Sequence, residues 1–154
     1  MNFPKRDVIT GLLIVVIIVA GVFFYKKLKT PKPVATNTPV SISFKKELEN
    51  QFKYQIPEGV ESIELKDVRG GTGRAIATKG EILADIEDPA TGAFYQGWLE
   101  KDGSLVSLGR MQMAKGGWLL EYDSSKFPEY KKIIVSLEKT YDSKIEEKVL
   151  EGSF

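Results

Sequence analysis

The chain has no cysteine and no histidine in its 154 residues. Without thiols there is no disulfide, no thiolate zinc site and no lipoprotein cysteine to acylate. Without imidazole, Ser-His-Asp and Cys-His catalysis are excluded, which leaves carboxylate pairs or Ser-Lys arrangements as enzyme chemistries. A strong charge bias is missing too: 22 basic residues face 21 acidic ones, for a net charge of +1. No basic patch is interleaved with aromatics, so nucleic acid is not an expected partner. No cofactor or metal is expected either.

What the chain does have is the apolar run Val8–Tyr25, free of charge and interrupted by little besides Thr10, Gly11 and Gly21. A helix of about 18 to 20 such residues spans the roughly 30 Å hydrocarbon core of a bilayer. The run is longer than the about 7 to 15 residues of a signal-peptide core, and Val19-Ala20-Gly21 is followed by Val22-Phe23-Phe24, which still reads as membrane core. The expectation is therefore an uncleaved single-pass anchor in the lipid bilayer. Lys26, Lys27, Lys29 and Lys32 after the run outnumber Lys5 and Arg6 before it. That count favours a cytoplasmic C-terminal part, although long domains translocate largely regardless of charge. The following TPKPVATNTPVS stretch, Thr30–Ser41, reads as an extended, solvated stalk. The charge flanks alone leave orientation open. The organisation expected is a tail over 1–7, a membrane helix over 8–25, a basic then Pro/Thr-rich stalk over 26–41, and a domain over 42–154, a usual size for one core.

That domain reads as β. Alternating runs over Glu61–Val68, Gly73–Ala77, Glu81–Glu87, Phe94–Glu100, Leu105–Met113, Trp118–Tyr122 and Lys132–Glu138 predict strands, and Val149-Leu150 begins a closing one. Thr78-Lys79-Gly80, Lys101-Asp102-Gly103 and Lys115-Gly116-Gly117 separate neighbouring runs, and Asp-Gly between apolar runs is a strong hairpin signal. Strands at this spacing predict an antiparallel sandwich or barrel, all-β rather than βαβ, and a small antiparallel β-sandwich is the architecture favoured. Phe44, Leu48 and Phe52 recur every fourth residue, which predicts a short helix after the stalk.

Tyr95-Gln96-Gly97-Trp98-Leu99, Gly103, Ser107-Leu108-Gly109, Val135-Ser136-Leu137-Glu138 and Val149-Leu150-Glu151-Gly152 follow one another in order. Over about Gly73–Phe154 this resembles the C-terminal, extracytoplasmic domain of bacterial anti-sigma-K factors. That family shows a Tyr-Gln-x-Trp-Leu strand, a turn glycine, a Ser-x-Gly strand end, a Val-Thr-Leu-Glu strand and a terminal Val-Leu-x-Gly. The resemblance implies a β-sandwich held outside the cytoplasmic membrane by one helix. Such factors carry a helical sigma-binding domain before the membrane helix, often with a His/Cys zinc motif. Here Met1–Asp7 alone precede the run, and Lys139–Lys144 is more charged than the family's Pro/Gly-rich segment. Fold and topology are expected to carry over, and direct sigma-factor binding is not.

Three groups of residues are candidates for chemistry. Asp85, Glu87 and Asp88 cluster before Pro89 and could form a glycosidase acid pair or a calcium corner. Alternation with Ile82, Ala84 and Ile86 instead places Asp85 and Glu87 on a solvated sheet face. Gly70-Gly71-Thr72-Gly73 could cradle a phosphate, but its spacing and the strand that follows fit a turn or bulge. Phe94, Tyr95, Trp98, Trp118 and Tyr122 could form an aromatic platform, though such side chains more often fill a core. Met111 and Met113 share a face and read as gap fillers, not metal ligands. Tyr95, Trp98 and Trp118 are the residues singled out for binding an unknown protein or glycan. The functional expectation is a non-enzymatic, membrane-anchored, extracytoplasmic module for binding, sensing or scaffolding. The alternatives are a signalling component that regulates a sigma factor through a separate protein, or a carboxylate-based hydrolase.

Overall fold

The computed structural model of the chain describes residues 40–114 and 116–154. The run Val8–Tyr25, its orientation and almost all of the stalk lie outside the described residues. Among the described residues no helix is long and apolar enough to cross a membrane.

Helix α1, Ile42–Phe52, starts where the Ser41 hydroxyl accepts a hydrogen bond from the Phe44 amide at 3.3 Å. It stops at Lys53, which adopts a left-handed φ of 48° so that its amide can cap the last turn. Phe44, Leu48 and Phe52 form one buried stripe, as their spacing predicts, and pack with Ile56, Ile76 and Leu83.

Nine strands follow: β1 Ser62–Asp67, β2 Arg74–Thr78, β3 Glu81–Asp85, β4 Phe94–Lys101, β5 Ser104–Arg110, β6 Gln112–Ala114, β7 Gly117–Glu121, β8 Lys132–Glu138 and β9 Glu147–Ser153. All pairings are antiparallel, in the order β5-β4-β8-β9-β1-β2-β3-β7-β6. The β4–β5 hairpin turns at Asp102 and Gly103, both at positive φ (50° and 84°), the geometry that makes Asp-Gly a hairpin signal.

Ala75 and Ala77 of β2 and Ile82 and Ala84 of β3 face the main core, while Ile76 and Leu83 between them lie beneath α1. The second face of β3 is therefore not simply solvated, as alternation alone suggests. Leu83 is buried there under the helix, and Asp85 of the same strand accepts a hydrogen bond from Gln51 of α1 at 3.0 Å.

The sheet curls until it is nearly closed. The single strand expected over Leu105–Met113 is two, β5 and β6, joined through Met111. The first half pairs with β4 and the second with β7, so one bent stretch of chain serves both ends of the sheet. At the bend, the Met111 amide donates to the Tyr95 carbonyl at 2.9 Å. Across the interior a Cβ on Gly97 of β4 would lie 2.3 Å from Leu120 Cδ2 of β7. Tyr95 meets Trp118 edge to face at 5.4 Å. Two layers thus face each other as in a sandwich, but they are halves of one nearly closed sheet. A sandwich of two separate sheets would require a break that the continuous pairing does not contain.

The other face of β4 and β8 is also covered. There the Trp98 indole N–H donates to the Ser136 hydroxyl at 2.7 Å, and Gln96 donates to Ser107 at 3.0 Å. The charged segment after β8 folds back over this face. Glu146 accepts from the amides of Lys139 and Thr140, its own amide donates to the Glu138 carboxylate, and Arg110 lies between the rings of Phe94 and Tyr141. Farther along, Lys132 bridges Glu100 and Glu151, each at 3.1 Å.

Candidate functional site

The two ends of the curled sheet differ. At one end the β1–β2 turn, with Gly70, Gly71, Thr72 and Gly73, forms a polar concavity of about 630 Å³ with Asp67, Arg69, Asp85 and Glu87. The glycine turn and two of the three clustered carboxylates thus come together, but Asp67, Arg69 and Asp85 already have partners. The Asp67 carboxylate accepts from the amides of Arg69 and Gly71 at 2.6 and 3.2 Å, so those N–H groups are turned away from any phosphate. Arg69 pairs with Asp67 and Glu147 at 3.5 and 3.3 Å. Burial pushes the Asp67 carboxyl upward, yet the two amides and the guanidinium outweigh it and hold the carboxyl below its ordinary value. Gly71 is needed because a Cβ there would lie 2.8 Å from an Asp67 oxygen. Among the described residues no group of three or more Asp, Glu, Cys or His side chains could hold a metal ion. The turn at this end is held by Asp67 through the Arg69 and Gly71 amides.

The opposite end carries a cleft of about 480 Å³ with a different character. Buried Leu99 of β4 forms its floor, and half-buried Tyr122, Phe127, Tyr130 and Phe154 form its walls. The rim carries Glu61, Lys79, Ser124, Ser125 and Lys131. Aromatic walls with a few polar groups at the mouth are the usual make-up of a ligand pocket.

Local chemistry builds this cleft. The Tyr122 hydroxyl donates to the Thr78 carbonyl at 2.5 Å and its amide to the Gly80 carbonyl at 2.8 Å, which fastens the end of β7 to the β2–β3 turn. Burial raises the Tyr122 phenol above its ordinary pKa, so it stays protonated. Asp123 then caps a single 3-10 turn, Ser124–Lys126, accepting from the Ser125 amide at 3.0 Å and the Ser125 hydroxyl at 2.6 Å. Two further turns follow, Phe127 N–H to Ser124 C=O and Tyr130 N–H to Phe127 C=O. They set Phe127 and Tyr130 edge to face at 5.9 Å. Phe154 is drawn in by the hydrogen bond its N–H donates to the Lys131 carbonyl at 3.0 Å, and Lys79 Nζ lies 5.7 Å above its ring and 2.7 Å from Glu61.

Comparison with protein-family models, with curated proteins and with solved structures finds no match to this chain.

Of the aromatics singled out in the sequence, Tyr95 and Trp98 are 2% and 1% exposed and lie on opposite faces of β4. Tyr95 joins Trp118 inside the curled sheet, where its hydroxyl donates to the Glu87 carbonyl at 2.9 Å, while Trp98 packs on the outer face. The three do not share an exposed surface. Half-buried Trp118 keeps its indole N–H without a hydrogen-bond partner among the described residues. Of the aromatic candidates only Tyr122 reaches the cleft. Phe127, Tyr130 and Phe154 were missed, because strand periodicity does not extend to the irregular segment after β7 or to the last residue of β9's continuation. The signal that could have found the first two is Phe127-Pro128-Glu129-Tyr130, two aromatics flanking a proline turn where a solvated loop needs none.

Proposed function

We propose that this chain is a membrane-tethered, extracytoplasmic binding module whose ligand enters the cleft between Phe127 and Phe154. The tether is Val8–Tyr25, supported by its length and unbroken apolarity. The extracytoplasmic placement rests on the resemblance to the anti-sigma-K C-terminal domain, whose motif residues here fall on the contiguous strands β5, β4, β8 and β9. Direct sigma-factor binding is not part of the proposal.

The observation that carries the binding reading is the cleft itself, with four half-buried aromatics around an apolar floor. Binding without transformation is favoured because the cleft lining carries one side-chain carboxylate, Glu61, and so no acid pair for a carboxylate-based hydrolase. The test is fluorine NMR of para-fluorobenzyl alcohol titrated onto the full-length protein in lipid nanodiscs, with empty nanodiscs subtracted. Saturable broadening that is lost in Phe127→Ala is expected. Identical, non-saturating behaviour of both proteins would contradict the reading.

A further inference from the structure

Of the arginines among the described residues, Arg69 pairs with Asp67 and Glu147, and Arg74 pairs with Glu47. Arg110 pairs with no carboxylate among them. Strand alternation alone would not place it where it stands. Val106 and Leu108 of β5 both pack on the main core, so a regular strand would turn Arg110 inward as well. The β4–β5 pairing slips instead: Trp98 lies opposite Ser107 and Gly97 opposite Gly109, which leaves Leu108 as an extra residue. Gly109 takes a φ of 112° at this bulge, a value that favours glycine. Beyond it the faces are exchanged, and Arg110 stands exposed on the outer face, opposite Gln96. Re-aiming a side chain is a recurrent use of such bulges.

There the guanidinium carbon lies 3.9 Å from the centroid of the Phe94 ring and 4.9 Å from that of Tyr141, in the corner the two rings make. Contact with ring faces steadies the side chain without engaging its N–H groups in hydrogen bonds to oxygen. The neighbouring acceptors do not take them either. Gln96 donates to Ser107 and its carbonyl has no partner, while the Asp142 carboxylate accepts from the Lys144 amide. Tyr141 is 56% exposed, and its hydroxyl bonds to nothing among the described residues. A steadied guanidinium with open donors beside an exposed ring is fitted to receive an oxyanion. Residues 40–154 carry more acidic than basic side chains, which disfavours a polyanion. One carboxylate, by contrast, meets the planar fork with two parallel hydrogen bonds. We infer that Arg110, Phe94 and Tyr141 form a second binding site, independent of the cleft, for a ligand carrying a single carboxylate next to a flat apolar group. The carboxylate accepts from the Arg110 guanidinium, and the flat group lies against the exposed Tyr141 ring.

The test uses the full-length protein in phosphatidylcholine nanodiscs, with fluorine NMR of para-fluorobenzoate at fixed ionic strength. Saturable broadening is expected, reversed by acetate more readily than by dimethyl phosphate, a phosphodiester of the same charge. This competition on the wild type depends on no variant folding. Arg110→Gln should weaken benzoate binding about tenfold or more, and Arg110→Lys, which keeps the charge and loses the fork, severalfold. Both should leave the binding of para-fluorobenzyl alcohol, which has the ring and no carboxylate, unchanged. Phe127→Ala, at the cleft, should leave benzoate binding in place. Broadening that does not saturate, or that persists undiminished in Arg110→Gln, would overturn the site. Reversal by dimethyl phosphate ahead of acetate would overturn the choice of a carboxylate.

Discussion

Replacing Gly97 by alanine probes how far the sheet is curled. Gly97 lies in the middle of β4, and its added methyl would point across the interior at β7, 2.3 Å from Leu120 Cδ2 and 3.4 Å from Ile82 Cδ1. Leu120 is 8% exposed and Ile82 fully buried, so neither has solvent to move into. Overpacking of this kind costs about 1 to 3 kcal/mol. Against it stands a gain of roughly 0.5 to 1 kcal/mol from reduced unfolded-state entropy when glycine becomes alanine. The net expectation is a loss of about 1 to 2 kcal/mol. Leu120→Ala alone should cost about 2 to 5 kcal/mol by leaving a cavity. In the double variant the new methyl occupies part of that cavity, so the two changes should couple favourably by about 1 to 3 kcal/mol. The assay is a double-mutant cycle from urea unfolding followed by tryptophan fluorescence. Additivity within about 0.5 kcal/mol would show that β4 and β7 do not face each other, and would refute the curled architecture.

Trp98→Ala should cost about 3 to 5 kcal/mol in the same unfolding assay, because the ring is buried, and a loss below about 1 kcal/mol would place it at the surface. Trp98→Phe should cost less, chiefly the indole bond to Ser136. Asp67→Asn should destabilise by about 1.5 to 3 kcal/mol at neutral pH by weakening the charge-assisted bonds to the Arg69 and Gly71 amides. Since the folded-state pKa of Asp67 is depressed, its contribution is full above the unfolded value of about 3.9 and is lost as the pH falls through the folded value. The gap between the wild type and Asp67→Asn should therefore narrow in acid melts, and a constant gap would contradict the ion-paired turn. Protease added to intact cells should remove residues 41–154 and spare the anchor, and protection until lysis would reverse the proposed orientation.

Much of the strand pattern was legible because most strands keep at least one face apolar at period two. Val135 and Ile133 read inward from spacing alone, and Asp102-Gly103 announced its hairpin. The helix was legible from Phe44, Leu48 and Phe52. What spacing could not convey is which faces would find cover. Leu83 and Ile76 fall beneath α1, and Phe94 on the outer face of β4 is met by Tyr141 of the loop after β8. These contacts join residues far apart in the chain, which local periodicity does not encode. The bend at Met111 was hidden for a related reason. Leu105–Met113 alternates well enough for one strand, and only its two partners, β4 and β7, require it to turn. The cleft was least legible, since Phe127 and Tyr130 are placed by successive tight turns and not by an element with a period.

The binding account is tested most directly by mapping amide and aromatic chemical-shift changes on the full-length protein as para-fluorobenzyl alcohol is added. Changes that saturate and cluster at Leu99, Tyr122, Ser124, Phe127 and Tyr130, with Asp67–Gly73 at the other end undisturbed, are the predicted result. Changes centred on Asp67–Gly73, or spread evenly over the domain, would contradict it.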